Sequence, residues 1–263
     1  MEPTWDPQRY LAYSEERGRP FVELLARVGA DDPTTVVDLG CGPGNLTALL
    51  ATRWPGARVT GIDSSPEMID AARASVPGIA FETGDLRAWL AATSFEATDV
   101  VVSNATLQWI PGHVDLLPAL VDTVAAGGWL AFQVPGNFDQ PSHTIRAEIA
   151  AEPAYAAHTA DVAEPAAHDA ATYLRALSGP GTTVDAWETT YLHVLHGQDP
   201  VFRWVSGTGA RPTLQALEAV DPRLRLGFEQ EFRRRLRAAY PDTGGGVVLP
   251  FRRVFVVVHK EAS

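Results

Sequence analysis

Val36-Val37-Asp38-Leu39-Gly40-Cys41-Gly42-Pro43-Gly44-Asn45 decides the fold: an apolar strand runs into three alternate glycines, and a helix-forming stretch follows. A side chain at Gly40 or Gly42 would stand where a ligand has to approach the backbone, and glycine takes positive φ at no steric cost. The spacing G-x-G-x-G departs from the dinucleotide fingerprint G-x-G-x-x-G, whose last glycine lets a helix pack closely while its N-terminus faces a pyrophosphate. Asn45 stands where that third glycine would be. Asp38, just ahead of the glycines, is a poor neighbour for phosphates. It is a good one for a cationic ligand, through water or through the ammonium of an amino-acid tail.

Outward from this turn, Ala57-Arg58-Val59-Thr60-Gly61-Ile62-Asp63 has the pattern of a short strand ending in a carboxylate, at the distance of about 20 residues expected for a ribose-binding acid. Asp63 can accept both ribose hydroxyls, and it can equally open the next helix, since Ser64-Ser65-Pro66-Glu67 supplies an N-cap and a proline at the first helical position. The two roles are compatible. With Asp38, the arrangement favours S-adenosylmethionine, whose sulfonium and amino groups are both positive. Ile79 to Leu86 has the pattern of an edge strand ending in Gly84-Asp85, where the aspartate either accepts the adenine amine or caps a helix over residues 87–92. Thr98 to Asn104 is an apolar run of the kind that fills a central parallel strand, and Asn104-Ala105-Thr106-Leu107-Gln108-Trp109 leaves its end. Ligands of doubly wound sheets sit beyond the carboxyl ends of the strands, so Gly40, Asp63, Asp85 and Asn104 should converge. The cofactor-binding candidates are Asp38, Gly40, Gly42, Gly44, Asp63, Ser64, Met68, Asp85, Leu86, Asn104 and Ala105.

A fifth strand is expected over Gly127–Val134, ended by Pro135 and Gly136. Helical segments follow at Ser142–Glu152 and Ala170–Ser178 with a mobile connection between them. Val184–Leu195 and Val247–Lys260 alternate as strands and should pair antiparallel at one sheet edge. Residues 196–246 hold two or three helices, too long an insertion for a hairpin loop, and are expected to fold over the strand ends as a substrate cap. Gly244-Gly245-Gly246 is a re-entry or hinge, since no helix follows it. The expected fold is therefore α/β, a Rossmann-like and mostly parallel sheet with an antiparallel final strand and a helical cap. Its segments are 1–34 (N-terminal lid and helix), 35–135 (cofactor-binding core), 136–195 (helix, connection and sixth strand), 196–246 (cap) and 247–263 (final strand). Trp5, Tyr10 and Tyr13 form either a lid over the ligands or a packing surface at the sheet edge.

Composition narrows the function. The 263 residues are 46% hydrophobic, enough for a full α/β core. The N-terminus has neither a basic region nor an apolar core, and no stretch approaches a membrane span, so no membrane partner and a cytoplasmic location are expected. The one cysteine, Cys41, can make no internal disulfide and suits a small buried position beside a glycine. Lys+Arg 21 against Asp+Glu 32 gives a formal charge of −11, which repels nucleic acid. The histidines and the cysteine show no metal-ligand spacing.

The chain resembles the class I S-adenosylmethionine-dependent methyltransferases and, more closely, one family among them, the trans-aconitate 2-methyltransferases. The likeness rests on Trp5-Asp6-Pro7 with Tyr10, Glu16 to Pro20, Asp38 to Asn45, Gly61 to Pro66, Asn104 to Trp109, Trp187 to His193, and Trp204 to Pro212. The last two segments are not generic to methyltransferases. The resemblance implies methyl transfer to one carboxylate of trans-aconitate, a small tricarboxylate, giving a monomethyl ester and S-adenosylhomocysteine. A methyltransferase for another small acid or amine, or a non-catalytic S-adenosylmethionine-binding module, are the alternatives. A carboxylate is already an ionised nucleophile, so no general base is required. A tricarboxylate on so acidic a chain does require arginines. Arg211, in the glycine-rich bend Ser206 to Pro212, is the first candidate for substrate positioning, with Tyr191, His193, Trp109 and Arg252 beside it. Arg253, Arg146 and Arg17 are further candidates. Arg211 could also be a surface residue before a helix, and His193 a core histidine. Arg233, Arg234, Arg235 and Arg237 lie at helical spacing with Glu229 and Glu231, as an ion-paired solvated face would. A monomer is compatible with all of this.

Overall fold

The computed structural model describes residues 14–91 and 97–262. Trp5, Tyr10, Tyr13 and the lid expected from them lie outside the described residues, as does the side chain of Arg17. In chain order the elements are α1 (Ser14–Leu25), β1 (Thr35–Leu39), α2 (Thr47–Arg53), β2 (Arg58–Asp63), α3 (Pro66–Ser75), β3 (Ala80–Thr83), α4 (Leu86–Ala91), β4 (Thr98–Asn104), α5 (Leu117–Asp122) and β5 (Val124–Pro135). Then come α6 (Pro141–Ala150), α7 (Ala156–Thr159), α8 (Ala170–Leu177), β6 (Thr182–Leu195), α9 (Pro200–Ser206), α10 (Arg211–Val220), α11 (Pro222–Ala239) and β7 (Val247–Lys260).

The seven strands form one sheet in the order β3-β2-β1-β4-β5-β7-β6. β1 pairs in parallel with both β2 and β4, β3 with β2, and β5 with β4. β7 runs antiparallel to β5, with Phe132 opposite Val256. The expected sheet is thus present, and β7 sits between β5 and β6. Strand β5 starts three residues earlier than its apolar run suggests, and a register shift between Thr98 and Val100 in β4 accommodates the extension. The central strands are apolar because both their faces are covered: Val100, Val101 and Val102 are fully buried.

Contacts divide the chain into two compact units. Among the described residues, one consists of residues 14–135, 167–189 and 253–262, and contains β1–β5, the first half of β6 and the whole β7 stretch paired with β5. Its core joins Leu39, Ile62, Val101, Leu130, Phe132, Val254 and Val256. Tyr173 of α8 completes it, packing edge-on to Phe132 with its hydroxyl 2.7 Å from His113 Nε2. The other unit, residues 136–166 and 190–252, holds α6, α7 and α9–α11. Phe202, Phe228 and Phe232 form its ring cluster, with centroids 5.9 Å apart along each contact. The three helices α9–α11 are those expected in the insertion, and each begins with a proline in its first turn, where the missing N–H is not needed.

Candidate functional site

Three glycines in one turn satisfy three different requirements. A Cβ at Gly40 would lie 1.9 Å from Thr106 Oγ1, and its φ is +79°, so β4's exit loop and the backbone conformation already demand glycine here. The packing against Thr106 is a requirement the sequence does not reveal. At Gly44 (φ +79°) a Cβ would press on the Phe81 ring at 2.8 Å and on Ala72 at 3.0 Å. Only Gly42, at φ +55°, faces open space, with nothing within 4 Å of an added Cβ. The turn is bound into the sheet by two amides, Gly40 N and Cys41 N, both donating to Ile62 O at 2.7 and 3.0 Å.

Two carboxylates underlie this turn. Asp38 is almost wholly buried; its Oδ2 accepts from Thr47 Oγ1 at 2.7 Å, and its Oδ1 has no partner. Burial, with a further contribution from Asp63, raises its pKa to about 7. Asp63, at the end of β2, accepts from Gly42 N and from Ser65 N, both at 2.9 Å, and burial raises its pKa as well. It therefore serves the glycine turn and the approach to α3 together. The cap of α3 is Ser65, whose Oγ accepts from Met68 N; Met68 is buried and Ser64 is exposed. Asp85 is exposed at the start of α4, and its Oδ1 accepts from Arg87 N and Ala88 N at 2.9 and 3.1 Å, which is the helix-opening role. Leu86 behind it is buried. Cys41 is buried, and burial with the two neighbouring carboxylates pushes its thiol far up, so it stays protonated.

At the end of β4, Asn104 Oδ1 accepts from Gln133 Nε2 at 2.6 Å, and Gln133 Oε1 accepts from Arg253 at 3.1 Å. All three side chains are buried. Ala105 follows with φ +55°, a left-handed conformation rare for a residue with a side chain, held by its amide donating to Gln133 O. Gln108 donates to Ala105 O and leaves its own buried Oε1 unpaired. Gln108, Thr47 and Gln133 carry no signal in the sequence that marks them as site residues. Gln133 takes its role from the pairing of β5 with β4, whereas Thr47 and Gln108 are turned back by the chain onto Asp38 and Ala105.

The strand ends thus form a ledge rich in acceptors, with unmet oxygens on Asp38 and Gln108 and one glycine open to a ligand. Such a ledge fits a molecule that brings donors and positive charge, as S-adenosylmethionine does with its ammonium, sulfonium, ribose hydroxyls and adenine amine. It does not fit a pyrophosphate. Among the described residues no group of three His, Cys, Asp or Glu side chains could hold a metal ion, and no helix is long and apolar enough to cross a membrane.

The substrate-positioning candidates divide between the units. Trp109 lies in the short helical turn Leu107–Trp109, in the unit of the ledge. Arg211, Tyr191, His193 and Arg252 belong to the other. Arg211 is buried at the first position of α10 and is not a surface residue. His193 is buried among rings, 4.7 Å from Trp204 and 6.1 Å from Tyr191 between centroids. Arg252 Nε donates to Gly136 O at 2.7 Å. Arg146, on α6, is more buried than either and donates to Thr213 Oγ1 at 3.0 Å and to Glu164 Oε1 at 2.8 Å. Next to it on the same helix, His143 is held down to about 4, chiefly by burial and then by Arg146. The arginines of α11 are ion-paired as expected, although Arg233 and Arg237 both reach one buried carboxylate, Asp199.

A sheet in this order, with its last strand reversed and an acceptor-lined glycine turn at the end of β1, defines a class I methyltransferase, an enzyme that uses S-adenosylmethionine as co-substrate. A family model described as a methyltransferase domain matches residues 36–128. The chain is 52% identical to the trans-aconitate 2-methyltransferase of Streptomyces avermitilis, covering 99% of this chain and 98% of that one. It is 48% identical to the enzyme of the same name from Rhodococcus jostii, over 96% and 98%. Among solved structures, the 4+2 cyclase SpnF is similar in fold, with a TM-score of 0.57 at 12% identity over 99% of this chain and 88% of that one. The chain belongs to the trans-aconitate 2-methyltransferase family.

Proposed function

We propose that this protein transfers the methyl group of S-adenosylmethionine to one carboxylate of trans-aconitate, releasing the monomethyl ester and S-adenosylhomocysteine. The observation that carries this reading is that similarity to proteins of that name extends over 87–98% of their length, well past the methyltransferase domain at residues 36–128. That extent takes in the segment with Arg146, Tyr191, His193, Arg211 and Arg252.

The chemistry asks little of the protein in proton transfer. The donor supplies a methyl group already activated on sulfonium, and the accepting carboxylate is ionised at neutral pH. What remains for the chain is orientation of the attacking oxygen and exclusion of water from it. Both reactants lose charge as the bond forms. Arginines are therefore best placed on the carboxylates that do not react, because a tight pair on the attacking oxygen would stabilise the ground state more than the transition state. Arg146 and Arg211 suit that role, being buried donors on an otherwise acidic molecule. On the donor side, Asp38, Gly42, Asp63 and Asn104 are proposed to hold the amino-acid tail and ribose, with Ser64, Met68, Asp85, Leu86 and Ala105 around the adenosine. We also infer a soluble, cytoplasmic enzyme acting on a small molecule.

The test is turnover of trans-aconitate with S-adenosylmethionine, followed by release of S-adenosylhomocysteine and by mass of the ester. Rapid release with another acid or an amine and none with trans-aconitate would replace the substrate. Donor binding with no release from any acceptor would leave a binding module.

A further inference from the structure

Arg146 is almost completely buried, and its countercharge is not. The guanidinium side chain is 5% exposed while that of Glu164, its ion-pair partner, is 60% exposed. Glu164 lies in the irregular stretch between α7 and α8, two residues before the chain passes from one compact unit to the other. It reaches Arg146 with one oxygen, on Nη2 at 2.8 Å. The neighbouring Nε–H, on the same edge of the planar fork, is buried and has no hydrogen-bond partner. A carboxylate that fitted this edge would take both donors in parallel, the geometry for which arginine is suited. Here the fork is half filled.

The surroundings are prepared for a polar ligand. Nη1 is fixed by Thr213 Oγ1, which aims the guanidinium. His143, one turn back on α6, is wedged between Phe138, at 5.0 Å and edge-on, and Gly209, where even a Cβ would come within 2.7 Å of the ring. It is neutral at physiological pH, so it adds a hydrogen-bonding group without a second charge. Ser142, on the same buried face as Arg146, and Asn137, in the turn before it, are buried with side-chain polar atoms that find no partner. Each buried polar group left unmet is costly unless something else satisfies it. One charge and several neutral donors match one carboxylate.

We propose that Arg146, aimed by Thr213, is a carboxylate-binding site for the acceptor substrate, and that Glu164 is a stand-in carboxylate which occupies the fork until a substrate carboxylate displaces it. The idea rests on the tricarboxylate reading above. A buried guanidinium needs a countercharge when no substrate is bound, and an exposed glutamate on irregular chain supplies one at small desolvation cost. The same glutamate then competes with substrate, so apparent affinity is lowered by the fraction of time the fork is taken.

Trans-aconitate is titrated calorimetrically into the protein saturated with S-adenosylhomocysteine, for the wild type, Glu164→Gln, Arg146→Met and the double variant, with S-adenosylhomocysteine release assayed separately. Glu164→Gln, on an exposed segment, should bind trans-aconitate about three- to tenfold more tightly than the wild type, since the competing charge is gone. Arg146→Met should weaken binding about 30-fold or more without changing affinity for S-adenosylhomocysteine. The gain from Glu164→Gln should vanish when Arg146 is also replaced. If Arg146→Met does not fold, Arg146→Lys, which keeps the charge and loses the fork, should show the same direction. Unchanged or weaker binding in a folded Glu164→Gln overturns the proposal and makes the pair a fixed structural bridge. Wild-type binding without turnover removes the substrate reading while the Glu164→Gln comparison still decides the site. Absence of wild-type binding to either trans-aconitate or citrate removes both.

Discussion

Asp63 gives one oxygen to Gly42 and the other to Ser65, yet each carboxylate oxygen has a second lone pair for a ribose hydroxyl. Asp63→Ala should weaken S-adenosylmethionine binding by about 1.5–3 kcal/mol, the range for hydrogen bonds to a charged group, as read by calorimetry on protein whose melting is monitored in parallel. An unchanged affinity would leave Asp63 as a turn residue only. Asp38 behaves differently because its carboxyl titrates near neutrality. A cationic ligand favours the ionised form, so affinity for the donor should fall as pH drops from about 8 to 6, with proton release on binding near pH 7 that shows as a buffer-dependent binding enthalpy. Without ligand the linkage has the opposite sense. Between the ordinary value of 3.8 and about 7 the folded chain holds a proton that the unfolded chain has lost, so this group's contribution to stability declines as pH rises through that window. Arg211→Ala should leave donor binding intact and cost about 2–5 kcal/mol in kcat/KM for trans-aconitate, because it leaves a substrate anion unpaired. A loss of less than about threefold would move the role to Arg146 alone.

The glycine turn shows at the scale of an element what a local pattern can convey. Alternation, an apolar run and three glycines are visible within ten residues, so β1, the turn and the following helix are legible, and β2, β3 and β4 follow by the same logic of apolar runs ending in polar residues. The separate causes of the glycines were not legible. Thr106 is 66 residues from Gly40, and Phe81 is 37 from Gly44, so only the folded sheet brings them together. The same limit hides Asn104–Gln133–Arg253 and Arg146–Thr213–Glu164, whose members carry no shared motif. Arg146 was visible as a candidate, but its burial and its neighbours were not. Two substitutions separate the turn's functions. Gly40→Ala should lower the melting temperature sharply, since Cβ meets Thr106 and φ is positive, whereas Gly42→Ala should cost only about 1 kcal/mol of stability from its φ and weaken donor binding. Thermal melts beside calorimetry read both. Equal loss of stability in the two variants would put Gly42 in the same packing class as Gly40.

For the whole molecule, the absence of any proton to abstract from a carboxylate makes a direct prediction. With both substrates saturating, kcat should be flat from about pH 7 to 9 and fall only as the substrate's own acids protonate, below about pH 6. A rise through neutrality in kcat, as opposed to KM for the donor, would require a general base and would favour an amine or hydroxyl acceptor. The sheet order carries a different consequence, one of timing. β7 follows the other six strands in the chain, yet it lies in the interior of the sheet, between β5 and β6. During synthesis at about 5–20 residues per second, β5 therefore emerges well before the strand that will cover it, and its open edge of Trp129 to Pro135 waits through more than a hundred residues of chain. Nascent chains of this protein should depend on chaperones until residues 253–259 leave the ribosome, and a chain released before them should expose two strand edges and aggregate rather than fold as a smaller domain.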